Sequence, residues 1–359
     1  MLLELTSIPT ASGREDRVIA WVEAWCRKRP SVKLRRDEFG NMMIQRDGAR
    51  SRRPIVLSAH LDHPALVVCS VDGGEIEAEL RGGVSDRFIK GASVRLHHGK
   101  LKPQIGRVTG LQAAKNKTGF LRVSIGFSAD VKAEVGDIVT WDVPDATIKG
   151  DRLHAPAIDD LAGVAAALTA FDAATRRAGL CPDVRVLLTR AEEVGLIGAS
   201  AACGSGVLPR GSRIIVLENS KALPEAPVGD GVIVRVGDYA SVFDRELTER
   251  LTTIANDLSQ RDKTFKWQRR LMSGGVCETT TFLAHGYTAS CICLATLHAH
   301  NMNLETGRID AEQISLTDYA GMLRLLSQVC RLLDNTKMAG RYEQRLREML
   351  RAHRSLLGS

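Results

Sequence analysis

Short apolar runs alternate with amphipathic stretches over much of the chain. Apolar positions recur at three- to four-residue spacing and predict helices over residues 12–29, 161–179 and 314–336. Compact runs of branched apolar residues predict buried strands at PIVLSAH (54–60), VRVLLT (184–189), SRIIVLE (212–218) and TASCICLA (288–295). Buried strands that alternate with helices predict an α/β protein with a doubly wound, three-layer α/β/α sheet.

The first predicted helix begins with a capping signal. Ser12 precedes the periodic apolar positions, and Glu15 follows it at the spacing of a capping box. In that motif the serine hydroxyl and the glutamate carboxylate each accept a hydrogen bond from a backbone N–H group at the helix start. We therefore expect Ser12 to be the N-cap of this helix.

The stretch from residue 65 to 150 has a different pattern. Short β-like pieces are separated by glycines at close intervals, without a long helical period. This pattern is typical of a small β-barrel or sandwich. We predict that residues 65–150 form a β-rich domain, inserted into a discontinuous α/β domain made of residues 1–64 and 151–359. The sequence of residues 338–359 predicts a basic C-terminal helix.

Composition excludes several classes of protein. The chain of 359 residues carries a formal net charge of +7, but only 4% of its residues are aromatic and the basic residues crowd towards its ends. Nucleic-acid binding requires basic residues on one face with interleaved aromatic residues, so we expect no nucleic-acid partner. No run approaches roughly 18 consecutive apolar residues, and the N-terminus lacks the pattern of a signal peptide, so we expect no membrane association or secretion.

The cysteines are typical of a reducing compartment. None of the eight forms a Cys-x-x-Cys pair. Cys291 and Cys293 alternate with apolar residues in SCICLA, which predicts that both lie on one face of a buried strand. We therefore expect reduced core cysteines and a cytoplasmic protein.

Acidic and imidazole side chains follow the predicted strands or precede a predicted helix. They are His60, Asp62, Asp159, Asp160, Glu192, Glu193, Glu218, His298 and His300. Because open α/β sheets bind ligands beyond the carboxyl ends of their strands, we expect these side chains at one edge of the sheet. Several acids gathered there would repel one another, and bound divalent cations would offset that repulsion. Oxygen and imidazole ligands without cysteine suit zinc, cobalt or manganese.

Two local patterns predict separate roles. In His60-x-Asp62, the histidine binds metal while the acid, on the same face of the strand, orients its second ring nitrogen. Adjacent Glu192 and Glu193 cannot both point the same way from an extended strand end. One can therefore bind metal while the other acts as general base for a water molecule.

This ordered set resembles the co-catalytic metallo-aminopeptidases of the glutamyl/tetrahedral aminopeptidase family. Supporting stretches are SIPTASGRED and DEFGN near the N-terminus and GGVCETTTF at 274–282. The β-rich stretch lies between His60 and Asp159, where this family carries a small β-domain. The resemblance implies a zinc-peptidase-like catalytic domain with an insertion that serves substrate access or oligomerisation.

The resemblance also implies a role for each candidate residue. Carried over by position, Asp159 is the bridging metal ligand. His60 and Glu218 complete one metal site, and Glu193 and His300 complete the other. Glu192 is the general base, and Asp62 is the acid that orients His60. His298 is the alternative to His300. The Asp159–Asp160 peptide bond is expected to be cis.

The resemblance implies an enzyme that removes N-terminal residues from peptides with two divalent metal ions, zinc before cobalt or manganese. It also implies a homo-oligomer, since family members form dimers and dodecamers. Three departures from the family pattern concern the substrate more than the chemistry. Glu218 stands where the family usually has Asp, His63 stands where an acid follows Asp62, and in DDLAG Leu161 stands where a basic residue follows the two acids. The alternatives are an N-acyl amino acid or peptide deacylase, a carboxypeptidase-type amidohydrolase, and a non-catalytic metal-binding assembly protein.

Overall fold

An eight-stranded sheet and a closed barrel organise the chain. The computed structural model describes residues 1–72, 75–112, 119–128, 131–176, 182–336 and 341–358. Its strands are β1 (Val32–Arg36), β2 (Met42–Arg46), β3 (Ile55–His60), β4 (Ala65–Asp72), β5 (Glu75–Arg81), β6 (Ser93–His97), β7 (Gln104–Gln112), β8 (Arg122–Phe127), β9 (Ile138–Trp141), β10 (Thr147–Lys149), β11 (Arg152–Ala155), β12 (Val184–Thr189), β13 (Arg213–Lys221), β14 (Val232–Gly237), β15 (Trp267–Leu271), β16 (Thr288–Thr296), β17 (Met302–Asn303), β18 (Arg308–Ile309) and β19 (Glu312–Ser315). Its α-helices are α1 (Leu2–Leu5), α2 (Asp16–Arg27), α3 (Asp86–Ile89), α4 (Leu161–Arg176), α5 (Ile197–Gly204), α6 (Arg245–Arg261), α7 (Glu278–Ala284), α8 (Leu316–Leu332) and α9 (Arg341–His353). Two 3₁₀ helices cover Ala299–Asn301 and Arg354–Leu357.

The central strands of the large sheet are parallel. The strand order is β1-β2-β12-β3-β13-β16-β14-β15, and β12, β3, β13 and β16 run in the same direction. The neighbouring strands β2 and β14 are antiparallel to this group. The carboxyl ends of the four central strands therefore meet at one edge of the sheet.

Successive residues of the central strands pack into two separate cores. Leu57 of β3 and Ile215 of β13 pack on the side of α4, α6 and α8. Val56 and Ile214 pack on the other side, with α5 and α7. Because side chains alternate along a strand, a continuous apolar run can fill both layers. This arrangement confirms the predicted three-layer α/β/α architecture.

The predicted β-rich insertion contains a closed barrel. Its strand order is β4-β5-β8-β7-β6-β9, and pairing of β4 with β9 closes it. Closure leaves no free strand edge, and buried residues such as Leu66, Val94 and Trp141 fill the interior. Within the predicted range 65–150, β10 pairs with β11 instead of with the barrel. The division of the chain at residues 64 and 151 stays a prediction.

The predicted start of the first helix is wrong. α2 begins at Asp16, and Ser12 does not cap it. The Ser12 hydroxyl instead donates a 2.6 Å hydrogen bond to the Asp62 carboxylate. Glu15 is fully buried, and its carboxylate accepts the backbone N–H groups of Gly13 and Ala191. Both side chains of the apparent capping box therefore bind groups outside the helix. The partner of Ser12 is a charged carboxylate, which binds a hydroxyl group more strongly than a neutral backbone group does.

The later helices lie close to their predicted ranges. α4 begins at Leu161 as expected, while residues 177–179 of the predicted range lie outside the described residues. α8 begins at Leu316 because Ile314 pairs with Leu153 in the small β10-β11-β19 sheet. Ser315 then caps α8, with its hydroxyl accepting the N–H of Asp318 at 3.1 Å.

The cysteine pattern is reproduced where the structure describes it. Cys26, Cys69, Cys203, Cys277, Cys291 and Cys293 are free, while Cys181 falls outside the described residues. Cys291 and Cys293 are fully buried and pack in the same core, as their alternation predicts.

Across the described ranges, every helix is too short or too polar to span a bilayer.

Candidate active site

Five segments bring the predicted site residues to the carboxyl edge of the parallel strands. The carriers are the end of β3 for His60, the turn before α4 for Asp159, the turn after β12 for Glu192 and Glu193, β13 for Glu218, and the 3₁₀ turn after β16 for His300. The predicted strand ends at Glu218, but β13 continues to Lys221, so Glu218 lies inside the strand. The Asp159–Asp160 peptide bond is cis, as the resemblance implies.

His60 lies among three carboxylates. Its Nε2 is 3.3 Å from Asp159 Oδ1, 3.9 Å from Glu218 Oε1 and 4.0 Å from Glu192 Oε2. Its Nδ1 lies 3.1 Å from the backbone carbonyl of Asp62, which assigns the N–H group to that nitrogen. Nε2 is then the ring nitrogen available to bind a cation, and the carboxylate oxygens around it can bind the same cation.

A second histidine lies on the other side of Asp159. His300 Nε2 is 3.3 Å from Glu193 Oε2 and 3.7 Å from Asp159 Oδ2. The ring Nδ1 is 2.7 Å from the carbonyl oxygen of Gly83, to which it donates. The two oxygens of Asp159 therefore face the two histidines, Oδ1 towards His60 and Oδ2 towards His300.

His298 has different neighbours. Its Nδ1 donates to the carbonyl of Ala311 at 3.0 Å and lies 3.7 Å from Asp310. No described contact joins His298 to the acid cluster. The geometry therefore brings His300, rather than the alternative His298, to the predicted ligands.

Unpartnered oxygens show that the acid cluster fits a metal ion. Asp159 Oδ1 and Glu193 Oε1 are buried and have no hydrogen-bond partner. Leaving such oxygens unsatisfied is costly, and charged ones cost more. His60, Asp159 and Glu193 each offer one ligand atom, and these atoms lie within 4.8 Å of one another. Hard oxygen and imidazole donors in this arrangement suit divalent cations.

The electrostatics of the cluster also favour added positive charge. Burial, followed by the charge of Glu218, raises the pKa of Asp159 to about 6. Burial likewise raises the pKa values of Glu192 and Glu193 well above their ordinary range. Burial lowers the pKa of His60, but Glu192 and the neighbouring carboxylates outweigh it and raise that pKa well above its usual value. The site therefore holds protons unless other cations replace them.

Asp62 holds the backbone of the glutamate pair. Its carboxylate accepts the N–H groups of Glu192 at 3.0 Å and Glu193 at 3.1 Å. Burial raises the pKa of Asp62, but hydrogen bonds from His60 and other donors lower it overall. The carboxylate also lies 3.5 Å from His60 Nδ1, farther than the Asp62 carbonyl. Asp62 therefore shapes the turn that carries both glutamates, and the predicted orientation of His60 by its carboxylate stays a prediction.

The turn after β12 separates the two glutamates. Ala191, Gly195 and Leu196 have positive φ angles of 52°, 115° and 59°. This sharp change of direction points the two side chains to different partners: Glu192 lies near His60, and Glu193 lies near His300.

Comparison with known families identifies the lineage of this site. Residues 40–315 match the family model for M42 glutamyl aminopeptidases, which is more than half of the chain. The chain belongs to the M42 glutamyl aminopeptidase family. This membership confirms the suspected resemblance and the predicted metal-dependent aminopeptidase function.

Solved structures share the fold of this M42 chain. An aminopeptidase from the archaeon Desulfurococcus kamchatkensis is 23% identical with a TM-score of 0.73, covering 94% of this chain and 96% of that one. The TET1 peptidase of Pyrococcus horikoshii is 18% identical with a TM-score of 0.72, covering 91% and 97%. A TET aminopeptidase from a marine-sediment Thaumarchaeota archaeon is 20% identical with a TM-score of 0.73, covering 93% and 98%. No curated protein is similar enough in sequence to count as a match.

A cavity of about 740 Å³ opens onto the M42 site. It is lined by the clustered acids and both site histidines, and by residues of several other segments. Among these are Met272 and Val276, Arg235 of β14, and the Met302–Glu305 stretch of the β17-β18 hairpin. The candidate site is therefore accessible to a ligand much larger than water.

His63 is not among the residues that line this cavity. Its Nδ1 contacts the carbonyl of Asp159, and its Nε2 is 2.9 Å from Asn301 Oδ1. Asn301 uses its Nδ2 group to bind the carbonyls of Pro156 and Asp310, so its oxygen faces His63. His63 thus supports the backbone behind the M42 site.

Two residues that support the site from behind, Asn219 and Glu312, were missed in the sequence analysis. Asn219 Nδ2 donates to Asp160 Oδ1 at 2.6 Å, and Glu312 accepts three backbone N–H groups around the site. Burial raises the pKa of Glu312 to about 7. Asn219 directly follows Glu218 at a predicted strand end, but its neutral amide lies outside the acidic and imidazole set. Glu312 belongs to no motif and stands at no predicted strand end.

Proposed function

We propose that this M42 aminopeptidase uses two divalent metal ions, zinc in the first place and cobalt or manganese as alternatives. Asp159 would bind both ions. His60 and Glu218 would complete one site, and Glu193 and His300 would complete the other. The observation that carries this assignment is the placement of the two Asp159 oxygens towards the two histidines. When bound, such ions polarise the scissile carbonyl and lower the pKa of a water molecule.

We propose that Glu192 is the general base. It lines the cavity, and Asp62 fixes its backbone, so its carboxylate stays close to the predicted metal ligands. Burial raises its pKa, which suits a group that takes a proton from water and later gives it to the leaving amine. Asp62 would support the same step by holding both His60 and the turn that carries Glu192.

The proposed substrate is a peptide with a free N-terminus. The match of residues 40–315 to the M42 glutamyl aminopeptidase model supports this substrate class over the deacylase and carboxypeptidase alternatives.

A substrate panel tests the proposal. Freshly purified protein is assayed for zinc, cobalt and manganese, and its activity is compared on aminoacyl p-nitroanilides and N-acyl amino acids. We expect about two bound ions per chain and release of p-nitroaniline from substrates with a free amine. Hydrolysis of N-acyl amino acids alone would overturn the proposed substrate class. A protein without bound metal or metal-dependent activity would favour the non-catalytic alternative.

We further propose a homo-oligomer between a dimer and a dodecamer, in the cytoplasm. Two features support this. Related structures are described as a dodecamer and as assembling into a tetrahedron or a large octahedral shell, and six of the described cysteines (positions 26, 69, 203, 277, 291 and 293) are free. We assign residues 65–150 to an inserted domain that serves substrate access or assembly. Light scattering on the purified chain measures the oligomeric state, and a monomer at micromolar concentration would contradict this proposal.

A further inference from the structure

Glu312, the first residue of β19, lies behind two of the proposed metal ligands. Its side chain is fully buried. Oε2 accepts the backbone N–H groups of Ile158 at 2.7 Å and Asp159 at 2.9 Å, and Oε1 accepts the N–H of His300 at 2.7 Å. One carboxylate therefore ties together the segments that carry Asp159 and His300.

The segment that carries His300 requires such support. His298, His300 and Asn301 have positive φ angles of 54°, 56° and 62°. Residues with a Cβ atom rarely adopt this left-handed backbone, and it persists only where the surrounding structure holds it. The hydrogen bond from His300 N–H to Glu312 is one such constraint at the ligand itself.

The hydrogen bonds of Glu312 indicate the structural role of its negative charge. Its described hydrogen bonds all come from the backbone N–H groups of Ile158, Asp159 and His300. A carboxylate binds such donors about twice as strongly as a neutral acceptor does. Its effect is therefore to fix the backbone on both sides of the proposed metal site.

We propose that Glu312 is a positioning residue that sets the separation of Asp159 and His300 and so strengthens metal binding at the site of Glu193 and His300. The proposal rests on the ligand assignment of the proposed function. His300 Nε2 lies 3.3 Å from Glu193 and 3.7 Å from Asp159. A small shift of the His300 segment changes both distances, and a shift of the Asp159 segment changes the second one. Glu312 itself is not a proposed ligand and does not line the cavity.

Two nearly isosteric substitutions separate positioning from general stability. Glu312→Gln keeps the volume but presents an NH₂ group to a backbone N–H that needs an acceptor. Asp318→Asn is the matched control. Asp318 is also buried and accepts backbone N–H groups, from Gly229 at 2.7 Å and Gly231 at 2.9 Å, but its partners lie outside the acid cluster.

The readouts are zinc affinity and stoichiometry by chelator competition, the absorption spectrum of the cobalt-substituted protein, and Tm of the metal-free protein. We expect Glu312→Gln to weaken zinc binding at the site of Glu193 and His300 by about 10–100-fold and to change the cobalt spectrum. We expect Asp318→Asn to lower Tm without changing zinc affinity or the spectrum. If Glu312→Gln does not fold, Glu312→Asp keeps the charge on a shorter side chain and should weaken zinc binding at the same site.

Wild-type zinc affinity in a folded Glu312 variant would overturn the proposal, even if its Tm fell as far as that of Asp318→Asn. The proposed function can fail separately. Wild-type protein that binds two zinc ions but cleaves no aminoacyl substrate would refute the proposed substrate, while zinc affinity would still decide the role of Glu312. Wild-type protein that binds no zinc or cobalt would overturn both proposals.

Discussion

Two adjacent carboxylates in this protein face different partners because their backbone turns sharply. Glu192 Oε2 lies 4.0 Å from His60, and Glu193 Oε2 lies 3.3 Å from His300. A division of labour within the pair follows from the sequence, since neighbouring residues at a strand end cannot share a direction. The anchoring of both N–H groups by Asp62 could not be predicted, because that acceptor is 130 residues away from Glu192.

Replacing the proposed base should separate metal binding from turnover. We expect Glu192→Gln to retain both metal ions, because Glu192 is not a proposed ligand, and to lose about 10²–10⁴-fold in kcat, because an amide cannot accept the proton. Metal analysis and kcat on an aminoacyl p-nitroanilide check this. Glu305→Gln is the control, since Glu305 also lines the cavity but is exposed. Turnover of Glu192→Gln near the control value would remove Glu192 from the mechanism.

At the scale of elements, the barrel and the α/β sheet meet at the candidate metal site. Gly83 follows β5 of the barrel, and its carbonyl accepts the Nδ1–H of His300, leaving Nε2 free to face the acids. The barrel region therefore orients a proposed ligand carried by the sheet. A β-rich insertion was predictable from its closely spaced glycines, but this contact was not, because it joins residues 217 positions apart.

The start of α4 provides a prediction at the same scale. A Cβ atom on Gly163 would lie 2.2 Å from Asp160 Oδ1 and displace that carboxylate from Asn219. We expect Gly163→Ala to lower the free energy of unfolding by about 1–3 kcal/mol, as overpacking does, and to weaken metal binding. Denaturant unfolding and zinc competition measure both effects.

Gly204 is the matched position for this substitution. It ends α5, and a Cβ atom there would meet nothing within 4 Å. Gly204→Ala should leave metal affinity unchanged and stabilise the protein by up to about 1 kcal/mol through helix propensity. Equal behaviour of the two alanine variants would show that Asp160 tolerates the displacement.

For the whole molecule, the acid cluster links stability to metal and pH. Burial raises the pKa of Asp159 to about 6, and it raises those of Asp160, Glu192 and Glu193 well above their ordinary values. Folded-state pKa values above the unfolded ones mean that the folded chain keeps protons that the unfolded chain releases. These groups therefore stabilise the metal-free fold below about pH 4, and that stability is lost as pH rises through the folded pKa values.

Metal ions should restore the lost stability at neutral pH, because they replace the protons. We expect the difference in Tm between metal-loaded and chelator-treated protein to grow between about pH 5 and pH 8. Differential scanning calorimetry across this range measures it, with Asp318→Asn as a variant outside the cluster. A difference in Tm that is constant with pH would show that the buried acids do not carry the linkage.

The sequence by itself determined the four central strands, the helices α4 and α8, the two-sided burial of the sheet and the set of residues from which the candidate ligands come. These features depend on periodicity and on residues at strand ends, which are local properties of the chain. Only the tertiary structure decided that His300 rather than His298 meets the acids, that Ser12 binds Asp62 instead of capping a helix, and that Glu312 joins two ligand segments. The physical reason is that each of these outcomes depends on which distant donor and acceptor come within hydrogen-bond range, and chain packing sets those distances.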